Sequence, residues 1–274
     1  MHFHVVSRTS HANESAPPAL SPRHAASRCV TSNQPGPHPR LAQVVARHLG
    51  SRFLRPVAGY SQQAFERLAQ RWDGRCPLVL DSACGTGEST AVLARRHPAA
   101  LVIGIDQSAE RLERGRRKLA DTLPANALLL RADTTDLWAL LAERGVTLAH
   151  HYLLYPNPWP KAEHLQRRWH GHPRWRELLA LGGQLELRTN WQLYAQEFAL
   201  ALRQAGQVAA LRPLVAEGTA LTPFELKYAA SGHPLWQVQA TLDGGAPSHP
   251  SAARAGEPGR ERAGDQAGKT PVDR

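Results

Sequence analysis

Apolar residues recur along the middle of the chain in two alternating rhythms. Ala64, Phe65, Leu68, Ala69 and Trp72 fall at helical spacing. The run Leu78-Val79-Leu80 ends on Asp81 and predicts a short buried strand, followed by Gly-bearing Cys84-Gly85-Thr86-Gly87 and a helix from Ser89 to Arg96. Leu101 to Asp106 predicts a second strand, and Ser108 to Ala120 a charged amphipathic helix with Ser108 as its N-cap and Glu110 in its first turn. Strands follow at Asn126–Arg131, Leu148–Leu154 and Gln184–Arg188, alternating with helices at Asp136–Glu143, Trp175–Leu181 and Trp191–Gln204. Strand-like stretches near Val208–Val215 and Leu235–Leu242 close the series. Strands alternating with helices predict a parallel α/β sheet with helices on both faces.

The rhythm is absent at both ends. Residues 1–50 are rich in Ser, Pro, His, Arg and Ala and read as mostly disordered; residues 243–274 carry almost no large apolar side chain and read as a disordered tail. One domain is therefore expected over 51–242. The N-terminal stretch is poor in acid and bears Arg and Ser, as transit peptides do. Its prolines oppose the amphipathic helix such a signal needs, and an over-extended start is an equal alternative.

Composition narrows the classes. No run of about 18 apolar residues occurs, which excludes a transmembrane helix. Cys29, Cys76 and Cys84 form neither a disulfide framework nor a zinc-type pair, so a reducing cytoplasm is expected. The net charge of +10 points to a polyanionic partner. Five arginines against one acid in residues 1–50, and balanced charges in residues 243–274, leave six of those units in the middle. Nearly all the basic residues are arginine, a compositional bias that weakens the signal.

Three acids end three successive predicted strands: Asp81, Asp106 and Asp133. In such sheets ligands bind beyond the carboxyl ends of the strands. Gly85 and Gly87 let the backbone pass close to a ligand. The loop has no Gly-Lys-Ser/Thr and no third glycine, so it is neither a phosphate loop nor a full dinucleotide fingerprint. Asp106, about 20 residues past the glycines, suits two ribose hydroxyls, and Asp133 suits the exocyclic amine of an adenine. Adenosine without a pyrophosphate site points to S-adenosylmethionine. Each acid alone could equally cap a helix.

The segment Tyr155-Pro156-Asn157-Pro158-Trp159-Pro160-Lys161 sets an amide beside an aromatic ring on a proline-stiffened backbone. Lys161, Arg167 and Arg168 follow, interleaved with Trp159 and Trp169, a pattern that fits phosphate contact and base stacking. His164, His170 and His172 show no clean ligand spacing, and no metal is expected.

These pieces carry a resemblance. From about residue 78 to 240 the chain resembles the bacterial tRNA (guanine-N7) methyltransferase family, through the Asp81–Ser89 loop, Gly104-Ile105-Asp106, Arg131-Ala132-Asp133 and Tyr155–Lys161 with Arg167-Arg168. Leu181-Gly182-Gly183, Thr189-Asn190-Trp191 with Tyr194, Thr222-Pro223-Phe224-Glu225, Gly232-His233 and Trp236 complete it. The resemblance implies a seven-stranded Rossmann-like class I fold that uses S-adenosylmethionine. It implies cofactor contacts at Asp81, Asp106 and Asp133, beside the loop whose Gly85 and Gly87 are expected to bind the cofactor through their backbone. It implies tRNA contacts at Lys161, Arg167, Arg168, Asn190, Thr222, Phe224 and Glu225, and places Asn157 at the reacting base.

The family commonly has Glu, Glu and Asp where this chain has Asp81, Asp106 and Asp133, and two further carboxylates of its pattern are amides here. The family usually has Phe-Pro-Asp-Pro-Trp and a later Asp-Trp; this chain has Asn157 and Asn190. Guanine N7 carries a lone pair and no proton, so its methylation needs no general base. A carboxylate would steady the growing cation, and an amide keeps the shape without the charge. Methyl transfer to N7 of a guanine in tRNA is the leading expectation. Transfer to another atom, such as an exocyclic base amine accepted by the Asn157 oxygen, is one alternative; a non-catalytic RNA-binding relative is another. No membrane partner is expected, and a monomer is the simpler expectation.

Overall fold

A computed structural model of the chain describes residues 27–215 and 220–244. Two helices, α1 (Leu41–Gly50) and α2 (Gly59–Arg71), precede the first strand, β1 (Leu78–Ser82). The chain continues through α3 (Glu88–Arg96), β2 (Leu101–Asp106), α4 (Ala109–Lys118), β3 (Ala127–Arg131), α5 (Thr134–Glu143) and β4 (His150–Leu154). Two short 3-10 turns, Ala162–Arg167 and Trp169–Gly171, lead to α6 (Trp175–Ala180). Then come β5 (Gly183–Thr189), α7 (Gln192–Gln204), β6 (Ala209–Leu214), α8 (Pro223–Ala230) and β7 (Leu235–Leu242).

The seven strands lie in the order β3-β2-β1-β4-β5-β7-β6. Strands β1 to β5 run parallel, whereas β7 is antiparallel to both β5 and β6. The sheet is thus mixed, which corrects the all-parallel expectation. The reason is geometric: β7 returns between two strands instead of continuing the right-handed crossovers, and an antiparallel pair needs no such crossover. The fold is that of class I S-adenosylmethionine-dependent methyltransferases, as expected.

Strand side chains alternate between two cores. Leu78, Leu80, Leu101, Ile103 and Ile105 join the larger one, with residues of α1, α2, α5, α6 and α7. Val79 and Val102 face the opposite way, against Leu93 and Ala94 of α3. Ser108 accepts from the Arg111 N–H and caps α4, as its sequence position predicts.

The N-terminal boundary is corrected. Helix α1 buries Leu41, Val44, Val45 and His48, one face at helical spacing, and belongs to the core. The segment from Ser27 to Arg40 has no regular structure, yet it is tied to the domain along its length. The Ser27 N–H donates to Ser231 Oγ, the Ser32 hydroxyl to the Pro160 carbonyl, and the His38 N–H to Glu197. Disorder expected over residues 1–26 and 245–274 lies outside the described residues. Among the described residues no helix is long and apolar enough to cross a membrane.

Candidate functional site

Strand β1 has β2 on one side and β4 on the other, so consecutive connections leave it in opposite directions and open a crevice at its carboxyl end. A cavity of about 720 Å³ occupies that place. Its lining includes Asp81, Gly85, Asp106, Asp133, Asn157, Arg167, Asn190, Thr222 and Phe224. Nine of the thirteen residues singled out from sequence therefore meet in one cavity. Ala83, Tyr155 and Trp159, the non-glycine residues with positive φ among those described, line it too. Such strain of about 1–3 kcal/mol per residue persists only where surrounding contacts over-determine the backbone, and it concentrates at ligand sites.

The three acids sit in different environments. Asp81 is fully buried; its Oδ2 accepts from Ser89 Oγ at 2.6 Å and Thr90 Oγ1 at 2.7 Å, while its Oδ1 has no partner among the described residues. Burial pushes its carboxyl up to about 6 against the pull of the two hydroxyls. An unmatched buried oxygen beside a cavity costs free energy unless a donor arrives. The α-ammonium of S-adenosylmethionine is such a donor. Asp106 Oδ2 accepts from the Gly85 N–H at 3.0 Å, and its Oδ1 from the Ser108 N–H at 2.8 Å and Arg111 at 3.3 Å. One lone pair on Oδ2 stays free for a ribose hydroxyl, and release of Arg111 would free a second. Asp133 caps α5 through the Thr135 and Asp136 N–H groups and pairs with Arg55 at 3.1 Å. Burial alone would raise its carboxyl; the Thr135 and Arg55 donors outweigh burial and lower it. Both of its readings hold at once: it caps a helix and faces the cavity.

Gly87 works from behind the lining. It adopts φ +78 at the start of α3, and a Cβ there would come 2.6 Å from the Leu129 side chain. Any other residue would be strained at that φ and would have to displace the Leu129 side chain.

The opposite wall is the loop after β4. The Asn157 Oδ1 accepts from the Trp159 N–H at 3.3 Å, a local turn that helps hold Trp159 at φ +46. Arg167 lies over the Trp159 ring, 4.7 Å from its centroid. Arg168 does not face outward as the sequence reading expects. It is fully buried, donates to the carbonyls of Trp159 and Lys161, and forms an ion pair with buried Glu197. The 3-10 turn separates the two arginines, sending Arg167 out and Arg168 in. Arg168 is thereby spent on holding the loop and cannot reach a phosphate.

Glu197 is the centre of that arrangement. Its Oε1 accepts from Gln34 at 2.6 Å and the His38 N–H at 2.8 Å; its Oε2 accepts from Arg168 and from His170 at 3.0 Å. Burial alone would raise its carboxyl, but the His170 and Arg168 donors hold it down at about 2. Sequence reasoning missed Glu197, although a signal was present. Tyr194, Glu197, Phe198 and Ala201 form one buried helical stripe, and an acid inside such a stripe needs partners.

Of the expectations that remain, Lys161 and Glu225 fall outside the cavity lining, while Thr222 and Phe224 belong to it. Lys161 is exposed and lies 3.9 Å from Glu163. Glu225 is buried and bound to Arg188 at 2.9 Å, so it too is corrected to a structural ion pair. Thr222 caps α8, accepting from the Glu225 N–H at 3.0 Å. Phe224 stays 55% exposed at the cavity wall, with one ring face stacked on Tyr228. His170 is committed to Glu197, and no metal-ligand cluster is present among the described residues.

Comparison with known proteins agrees with this geometry. Residues 75–238 match the model of the family described as "Putative methyltransferase". A tRNA (guanine-N(7)-)-methyltransferase of Thiobacillus denitrificans is 30% identical over 200 residues, covering 69% of this chain and 84% of that protein. One of the same description from Geobacillus kaustophilus is 30% identical over 176 residues, covering 60% of this chain and 78% of that one. The solved structure of the 16S rRNA methyltransferase KamB is 22% identical with a TM-score of 0.48, covering 69% of this chain and 96% of that one. A methyltransferase fold, a cavity whose acid wall suits S-adenosylmethionine, and a family match over more than half its length make this chain a member of that methyltransferase family.

Proposed function

We propose that the protein transfers the methyl group of S-adenosylmethionine to N7 of a guanine in tRNA. The observation that carries this reading is the single cavity with acids on one wall and a strained, aromatic-bearing loop on the other. Relatives described as tRNA (guanine-N(7)-)-methyltransferases support the choice of acceptor.

The cofactor, when bound, supplies an electrophilic methyl on a sulfonium. Asp81 Oδ1 would meet its ammonium group, and Asp106 its ribose hydroxyls. The acceptor nitrogen of guanine brings its own lone pair, so no side chain has to remove a proton. Work left to the protein is alignment, for which proximity offers roughly 7–11 kcal/mol. Trp159 and Phe224 offer ring faces to a base, and exposed Arg167 offers charge to the backbone. Asn157 keeps the turn to the Trp159 N–H that an aspartate would also make, but adds no charge to offset the methylated base.

The Asn157 Oδ1 uses one of its two lone pairs on the Trp159 N–H, so it is less available to accept from an exocyclic amine, as that chemistry asks of it. The unmatched Oδ1 of Asp81 weighs against a relative that binds RNA without the cofactor, since such a site has no use for it. The test is transfer of labelled methyl from S-adenosylmethionine to unmodified total tRNA, followed by digestion and mass identification of the nucleoside. The expected product is 7-methylguanosine. A methylated amine, or cofactor binding with no label in RNA, overturns the assignment.

A further inference from the structure

His233 does not line the cavity, yet it controls a residue that does. The ring is buried at 7% exposure and stacked on Tyr228, with centroids 5.3 Å apart and planes 14° from parallel. Its Nε2 lies 2.8 Å from the carbonyl oxygen of Ser27, and its Nδ1 lies 3.1 Å from Asn190 Nδ2. A backbone carbonyl can only accept, so Nε2 must carry a proton. In a neutral imidazole Nδ1 then holds a lone pair, and the group opposite it must be a donor. An amide meets that demand only with its NH₂ turned toward the ring. Its oxygen is left for the cavity that Asn190 lines.

We propose that His233 is a positioning residue. The Ser27 carbonyl fixes its tautomer, and the ring in turn orients the Asn190 amide so that the cavity receives an acceptor there. Asn157 is set the opposite way, because its oxygen accepts from the Trp159 N–H and its NH₂ has no partner among the described residues. The two amides therefore offer the acceptor base one acceptor, from Asn190, and one donor, from Asn157. A pair of carboxylates at these positions would offer acceptors only. Such a site suits a base edge with a donor and an acceptor side by side, as guanine has at N1–H and O6. The choice of guanine rests on the function proposed above; the orientation of Asn190 does not.

Ser27 thereby gains a role that its own side chain does not reveal. It lies at the start of the described N-terminal segment, held by its N–H on Ser231 Oγ at 3.1 Å and by its carbonyl on His233. The segment then passes Val30, which lines the cavity, and Ser32, whose hydroxyl donates to the Pro160 carbonyl at 2.6 Å. A connection of three hydrogen-bonded groups, from Ser27 through His233 to Asn190, thus couples this segment to the face shown to the base.

Two readouts test the proposal on the full chain. Long-range nitrogen–proton spectra of the imidazoles, with the His233 signal assigned by its loss in His233→Gln, should show a proton on Nε2 and a bare Nδ1. A proton on Nδ1, or an even mixture of tautomers, overturns the proposal, and this arm needs no turnover at all. In methyl transfer to tRNA, His233→Phe keeps the ring stack but frees the amide, and KM for tRNA should rise about fivefold, as loss of one oriented hydrogen bond predicts. S-adenosylmethionine affinity should stay unchanged. His233→Gln can donate to Ser27 and accept from Asn190 together, and should restore the lost KM. Equal defects in the Gln and Phe variants would mean that His233 serves only packing, and would overturn the assigned role. If no tRNA is methylated by the wild-type protein, the functional reading fails while the spectra still decide the tautomer.

Discussion

The two walls of the cavity are built by different means. The acid wall hangs on strand ends: Asp81 within β1, Asp106 closing β2, and Asp133 opening α5 after β3. Their positions follow from sheet topology, and the contacts of Asp81 and Asp106, such as Gly85 N–H to Asp106, span only short stretches of chain, while Asp133 alone reaches further, to Arg55. The loop wall is assembled from afar. Glu197 on α7 draws together Gln34 and His38 of the N-terminal segment with Arg168, between the two 3-10 turns, and His170, in the second of them. Backbone strain at Trp159 is kept in place by that assembly, with the Trp159 carbonyl held by Arg168. One wall is therefore preorganised by backbone, the other by a buried charge and its donors. The difference teaches that binding of a small cofactor and presentation of a large acceptor can be disturbed separately.

The largest expected effect is on stability. Arg168→Ala leaves Glu197 buried without its ionic partner and should cost about 3–5 kcal/mol, read by chemical denaturation. A loss below about 1 kcal/mol would show that the loop wall does not depend on the pair. Next, Asp106→Ala should weaken S-adenosylmethionine binding about 10- to 100-fold by calorimetry, from loss of a charged acceptor, with tRNA affinity unchanged. Parallel loss of both affinities would erase the distinction between the walls.

A third prediction concerns pH. The Asp81 carboxyl is raised in the folded protein to about 6 from an unfolded value near 3.8. Between those values the folded state holds the extra proton, so this group's contribution to stability is full below the unfolded value and is lost as pH rises through about 6. Cofactor binding should run the other way. An ammonium group favours the ionised carboxylate, so affinity should tighten as pH rises through about 6, and Asp81→Asn should flatten the profile. A wild-type profile already flat across that range would break the pairing of Asp81 with a cation. The smallest effect is expected at exposed Asn157: Asn157→Asp adds one charge opposite the growing cation and should raise turnover about fivefold, the worth of roughly 1 kcal/mol. Unchanged or lower turnover would favour a neutral acceptor chemistry.

The same contrast decides how much was legible in the sequence. Leu78 to Asp81 and Leu101 to Asp106 announce buried strands because an unbroken apolar run has few other uses, and their closing acids mark the crevice. Helix α1 was hidden although Leu41, Val44, Val45 and His48 hold helical spacing, since prolines and serines crowd the chain just before it. Helix α8 was overlooked even though Thr222-Pro223-Phe224-Glu225 carries an N-cap, a proline in the first turn and an acid three residues on. The inward turn of Arg168, by contrast, had no local signal. Neighbouring arginines look alike until a partner distant in sequence, Glu197, selects one of them. The antiparallel placement of β7 is of the same kind, because pairing partners are set by the whole sheet.

The separability of the two walls is most directly tested by titrating S-adenosylmethionine into the double variant Arg168→Met with Glu197→Gln. Removing both charges together avoids the cost of stranding either one. The account predicts a cofactor dissociation constant within about twofold of wild type, with methyl transfer to tRNA reduced at least about tenfold, as expected of sites with no shared partners. Cofactor affinity and transfer falling in step would contradict it, and would mean that the Glu197 assembly supports the whole cavity rather than its loop wall.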